Sequence, residues 1–181
     1  MATPFRPALD LLAQYAAYHR DRRNIVTHFV GVPMIVFAVG VLMAALHINV
    51  NGIDLTLAWL VFAVVALWYL SRGHLGIGLA TTLGVGLLMV LAHRVAGGSL
   101  AQWAAWWVGF FVVGWIIQFV GHYYEGRKPA FADDLVGLLV GPMFVVLEML
   151  APLGLFKGLM SDIEGRAGPT HLRDLAHPLP H

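Results

Sequence analysis

The sequence predicts an all-α fold: a polytopic helical membrane bundle of four to five spans with an interfacial amphipathic helix at its N-terminus. Three observations predict it. Of 181 residues, 59% are hydrophobic and only 12% are charged, against about 25% charged in an ordinary soluble domain. Five apolar runs, near 25–47, 53–71, 74–93, 100–122 and 131–155, each approach the ~20 residues that cross a hydrocarbon core. Short links separate them: Asn49 to Gly52, Ser71 to Gly73, Arg94 to Ser99, and Tyr124 to Ala130.

Residues 5–20 read as the amphipathic helix, because Ala8, Leu11, Leu12, Tyr15, Tyr18 and His19 recur at helical spacing while Asp10 and Gln14 fall off that stripe. Arg20 to Asn24 interrupt the pattern, so the chain turns there, with Asn24 as the expected N-cap of the first span. Gly76, Gly78, Gly84 and Gly86 mark the third run as a closely packed helix. The last run carries Asp133, Asp134, Gly141, Pro142 and Glu148, and reads as a span broken at Pro142 and partly re-entrant. Residues 1–160 form one membrane-embedded domain, and 161–181 a polar, flexible tail.

Arg20, Arg22 and Arg23 before the first span place the N-terminus in the cytoplasm. Arg127 and Lys128 then fall on the same side, and the basic C-terminal segment favours an incomplete last span with a cytoplasmic C-terminus. The expected location is an integral multi-pass one: the inner membrane of a bacterium or the endoplasmic reticulum of a eukaryote. No secretory signal peptide is expected, since the N-terminal stretch is too polar to supply an apolar core.

Composition excludes several function classes. A net charge of +1 leaves no basic footprint for nucleic acid. The absence of cysteine rules out disulfides and thiolate metal sites, so a metal must be held by His, Asp, Glu or backbone oxygen.

An ionisable group in hydrocarbon costs several kcal/mol, so it is kept for a partner or a task. The topology puts His19, His28, His74 and His122 at the cytoplasmic face, and His47 and His93 at the other. A turn near Arg22 lets the rings of His19 and His28 point into one pocket that His122, at the end of the fourth span, also reaches. Three imidazoles at one depth point to a metal site, with Asn24, Glu125, Glu148 and Asp134 as candidates for a supporting or extra ligand. Capping is the competing role for Asp133 and Asp134, and relief of the Pro142 kink the competing role for Glu148. Arg20, Arg23 and Arg127 stand near the pocket mouth, where they would attract a carboxylate or simply set the topology. A non-enzymatic transporter or scaffold with a His/Glu proton or metal site is the alternative; it would spread ionisable residues through the bilayer depth.

The pattern Tyr18-His19-x4-Asn24-x3-His28-x4-Pro33, then Gly114 through His122, Glu125, Arg127, Pro129-Ala130, Asp134-Leu135 and Pro142-x5-Glu148, resembles the Mpo-type 2-hydroxy fatty acid dioxygenase family. The resemblance covers roughly residues 10–155, with Asp134 standing where fungal members have Asn. It implies a non-haem iron(II) enzyme that uses dioxygen to shorten a 2-hydroxy fatty acid by one carbon, without a 2-oxo acid cosubstrate. It carries His19, His28 and His122 over as catalytic residues and iron ligands. Three imidazoles would leave room for a 2-hydroxy acid to chelate through its hydroxyl and carboxylate, and for dioxygen. The expected partners are therefore a 2-hydroxy fatty acid, dioxygen and membrane lipid. The acyl tail would lie between the spans, beside the glycine-rich third helix.

Overall fold

The computed structural model describes residues 4–127 and 136–175. In chain order these form α1 (Ala8–Ala16), α2 (Arg22–Ala44), a hairpin of β1 (His47–Val50) and β2 (Ile53–Thr56), α3 (Leu57–Leu70), α4 (Leu75–Ala96), α5 (Leu100–Glu125), α6 (Val136–Leu150) with a 3-10 turn at Ala151–Leu153, and α7 (Lys157–Ala167). Four helical stretches are long and apolar enough to cross a membrane: Arg22–Ala44, Leu75–Ala96, Leu100–Glu125 and Val136–Leu153. This is the build of a multi-pass membrane protein.

The expected second span is shorter than its apolar run. Residues 47–56 form an antiparallel hairpin with His47 opposite Thr56, leaving α3 only 14 residues. The signal was the Asn51-Gly52 pair, which takes φ of 51° and 84°, the doubly left-handed turn that matches strand twist.

The start of α2 also differs from expectation. Asp21, not Asn24, is the N-cap: its Oδ1 accepts the N–H of Arg23 at 2.8 Å. Asn24 lies inside the helix because its amide is needed elsewhere. Helix α6 runs on through Pro142 rather than breaking there. The carbonyl of Leu139, beside the one Pro142 cannot serve, accepts the Tyr69 hydroxyl at 2.9 Å, the kind of outside support that lets proline sit in an apolar helix.

The contacts of α6 stay in the half of the bundle that holds His19. Phe144 packs on Tyr15 and His19, and Glu148 lies 3.7 Å from Arg20. Helix α7 then returns onto α1, and both bury their apolar stripes in one core of Leu11, Leu12, Phe144, Leu159 and Ile163. Helix α1 is shorter than expected, ending at Ala16. The segment expected to be a loose tail is thus a helix through Ala167. Beyond it, the chain straps across the α1–α2 turn: His171 N–H donates to the carbonyl of Arg20, and Arg22 N–H to the carbonyl of His171, both at 2.9 Å. The C-terminal segment therefore lies on the same side as the turn that carries His19.

Helices α2 and α5 make the closest crossing. A Cβ on Gly31 would come 3.0 Å from the Gly114 carbonyl, and one on Gly114 3.1 Å from the Gly31 carbonyl. One turn before the end of α5, a Cβ on Gly121 would meet Thr27 and stand 2.5 Å from Asn24 Oδ1. Small residues let two apolar helices approach to backbone contact. Here the approach brings His28 and His122 together. In α4 a Cβ on Gly78 would stand 2.6 Å from the Tyr69 carbonyl, the close packing that the glycine-rich run predicts.

Candidate metal centre

His19 stands in the turn after α1, His28 on the second turn of α2, and His122 on the last turn of α5. Their ring centroids are 4.5 Å (His19 to His28), 5.0 Å (His19 to His122) and 5.3 Å (His28 to His122) apart, each pair edge to face. One ring nitrogen from each lies within 4.8 Å of the other two, and all three side chains are buried. Among the described residues this is the one group of three or more such donors.

Each of the first two rings is held from behind. His19 Nδ1 donates to the Tyr15 carbonyl at 2.7 Å and His28 Nδ1 to the Asn24 carbonyl at 2.8 Å, both four residues back. That bond selects the tautomer whose Nε2 lone pair faces the common point. Burial, and then the neighbouring His28 ring, hold the His19 imidazole well below its ordinary pKa, so it is neutral, the form that binds metal. His19 Nε2 and His122 Nδ1 are buried with no hydrogen-bond partner among the described residues. A buried polar atom left unpaired costs about 1–3 kcal/mol. Three imidazoles converging with two such atoms fit a first-row divalent cation such as iron, zinc or copper.

Glu125 fixes the turn that carries His19. Its Oε1 accepts the N–H of Arg20 at 3.0 Å, and its Oε2 accepts the N–H of Asp21 at 2.9 Å and the Asn24 amide at 3.0 Å. One carboxylate at the end of α5 thus ties down the segment between His19 and His28, and the same Asn24 supplies the carbonyl behind His28. Asp21 closes the network from outside. Burial raises its carboxyl pKa, but bonds from the Arg23 guanidinium and the backbone N–H groups of Arg173 and Arg23 outweigh this and hold it at about 2.

The structure sorts the sequence candidates. Glu125 and Asn24 support the rings and are outside the three-donor group; Glu148 sits by Arg20, also outside it. His74 caps α4, its Nδ1 accepting from Ile77 N–H at 3.3 Å. Asp134 lies outside the described residues. The three arginines are engaged with the chain: Arg20 donates to the carbonyls of Ala16, His19 and Gly168, Arg23 to Asp21 and the Arg173 carbonyl, and Arg127 to the Ala17 carbonyl.

Two residues at the centre carried no predicted role. Tyr15 stacks on His19 at 4.1 Å and 8°; the Tyr15-x3-His19 spacing was its signal. Gln118, one turn before His122, is buried with an unpartnered Nε2. Both line a cavity of about 60 Å³ bordered by His28, His122, Gly141 and Pro142. A second cavity of about 350 Å³ shares Ile35, Val36, Trp115, Leu138 and Pro142 with the first and runs between α2, α3 and α4. It is lined by apolar side chains, with Val85 and Met89 rather than glycines as the contribution of α4.

A multi-pass helical membrane protein with a buried three-histidine centre beside an apolar cavity is the class that fold and site define. Residues 5–153 match the model of the family described as 2-hydroxy-palmitic acid dioxygenase Mpo1-like, and the chain belongs to that family. It is similar to the 2-hydroxy-palmitic acid dioxygenase MPO1 of Saccharomyces cerevisiae, 34% identical over 163 residues, which cover 86% of this chain and 88% of the yeast protein. No solved structure matches it.

Proposed function

We propose that the protein is an iron(II)-dependent dioxygenase that shortens 2-hydroxy fatty acids by one carbon, with His19, His28 and His122 as the metal ligands and the site facing the cytoplasm. The observation that carries this reading is the convergence of three buried imidazoles in a member of this family. When bound, iron(II) would supply the redox chemistry and the open positions for a chelating 2-hydroxy acid and for dioxygen. The overall reaction balances without a cosubstrate: a 2-hydroxy acid and dioxygen give the shorter acid, carbon dioxide and water, with all four electrons coming from the substrate.

The chain's own groups divide the remaining work. Tyr15 and Asn24 carbonyls hold the rings of His19 and His28 in register, and Glu125 holds the turn between them. Gln118 Nε2, buried and unpartnered beside His28 and His122, donates to the substrate's polar head. The larger cavity takes the acyl tail and keeps water from it. The transporter or scaffold alternative finds no support, because Glu148 lies beside Arg20 at the same end as the histidines.

The test is a product assay. Protein loaded with iron(II) under anaerobic conditions, then given 2-hydroxypalmitate and air, is expected to form pentadecanoate with equimolar uptake of dioxygen; His28→Ala is expected to form none. Absence of the shorter acid from wild type, or full activity in the variant, contradicts the proposal.

A further inference from the structure

The larger cavity extends along α2 away from the histidines, and the residues at its far end are informative. Along α2 the cavity wall runs from Ile35 to Met43, and Met43 is fifteen residues beyond His28 in the same helix, a rise of about 22 Å. One leaflet's share of a hydrocarbon core is about 15 Å, so the distance from ring to far end is of the order that a long acyl chain spans in an extended form. The far wall brings together Met43 of α2, Ala58 of α3 and Met89 of α4. Ala58 and Met89 are buried in one cluster with Ala44. Beyond them, Thr56 Oγ1 and His93 Nε2 meet at 2.8 Å, tying the start of α3 to the end of α4.

We infer that Met43, Ala58 and Met89 form the stop that sets the longest 2-hydroxy acyl chain the protein accepts. The inference rests on the dioxygenase reading for the identity of the head group. Ala58 presents one methyl group where a larger side chain would fill the end of the cavity. Met89 is a long, unbranched thioether that conforms to irregular space. It is held there because Gly40 has no Cβ, which would stand 2.6 Å from Met89 Cε. The two positions therefore act in opposite directions: enlarging Ala58 shortens the cavity, and trimming Met89 lengthens it.

The experiment is a ladder of 2-hydroxy acids from dodecanoic to eicosanoic, measured on iron-loaded wild type, Ala58→Leu and Met89→Ala both by turnover and by the rise in melting temperature each acid produces. Ala58→Leu is expected to move the optimum at least one even-numbered step shorter, with roughly tenfold loss of selectivity for the longer of two adjacent acids, the value of about two buried methylenes. Met89→Ala is expected to move it longer. Ratios between chain lengths are unaffected by a general loss of folded protein, and if Ala58→Leu fails to fold, Met89→Ala alone decides. Profiles that superimpose on wild type after scaling overturn the stop. A length profile of stabilisation that shifts in the variants without any turnover supports the stop and removes the dioxygenase reading.

Discussion

The two ends of the bundle each hold a histidine fixed by the same local device, yet they end in different chemistry. At the hairpin end, His93 Nδ1 bonds the Met89 carbonyl four residues back at 2.7 Å, its ring stacks on Trp59 at 4.9 Å, and its Nε2 meets Thr56 Oγ1 at 2.8 Å. At the other end, His19 and His28 make the same four-residue bond, but their second nitrogens face His122, and His19 Nε2 has no partner among the described residues. The intrahelical bond only orients a ring. What separates a packing histidine from a candidate ligand is whether the second nitrogen is already used.

That contrast can be broken at either end, and the effects should scale with how much of the centre each change removes. Replacing a converging ring is the most severe: His28→Ala and His122→Ala should lose bound iron and turnover below detection, measured by metal analysis and product formation. Glu125→Ala comes next. It strands the N–H groups of Arg20 and Asp21 and the Asn24 amide, at about 1–3 kcal/mol for each buried donor. Iron affinity should fall ~10–100-fold, as expected for groups behind metal ligands, when titrated against a chelator. Gly121→Ala should destabilise by about 1–3 kcal/mol, the cost of overpacking, because its Cβ meets Thr27 and Asn24; a lowered melting temperature reads this out. The smallest effect belongs to the hairpin end. Thr56→Val removes one hydrogen bond, worth about 1 kcal/mol, and should lower the melting temperature with no change in iron content.

The bundle was legible in the sequence because long apolar runs have few alternatives once water is excluded. The histidines were sortable by depth for the same reason: a span has two ends, and counting spans assigns each ring to one. The supporting residues were less legible. Asn24 and Asp21 are both good N-caps by residue type, and only the position of Glu125, far along the chain, decides that Asn24 turns its amide inward while Asp21 caps the helix. The contacts of Arg20, Arg23 and Arg127 were not legible, because a sequence does not display the backbone carbonyls and the Asp21 carboxylate that these side chains meet. Residues 161–181 looked like a tail because the chain turns polar at Ser161; of α7 only Leu159 and Ile163 are buried, too few to announce a helix. The hairpin was hidden inside an apolar run, although Asn51-Gly52 marked its turn.

The most direct test of the three-histidine centre is the iron content of anaerobically purified wild type, His122→Ala and His93→Ala prepared in parallel. Stoichiometric iron in wild type and His93→Ala, with none in His122→Ala, is the expected result. Equal iron in all three proteins, or its loss from His93→Ala alone, would contradict the assignment of the metal to the converging rings.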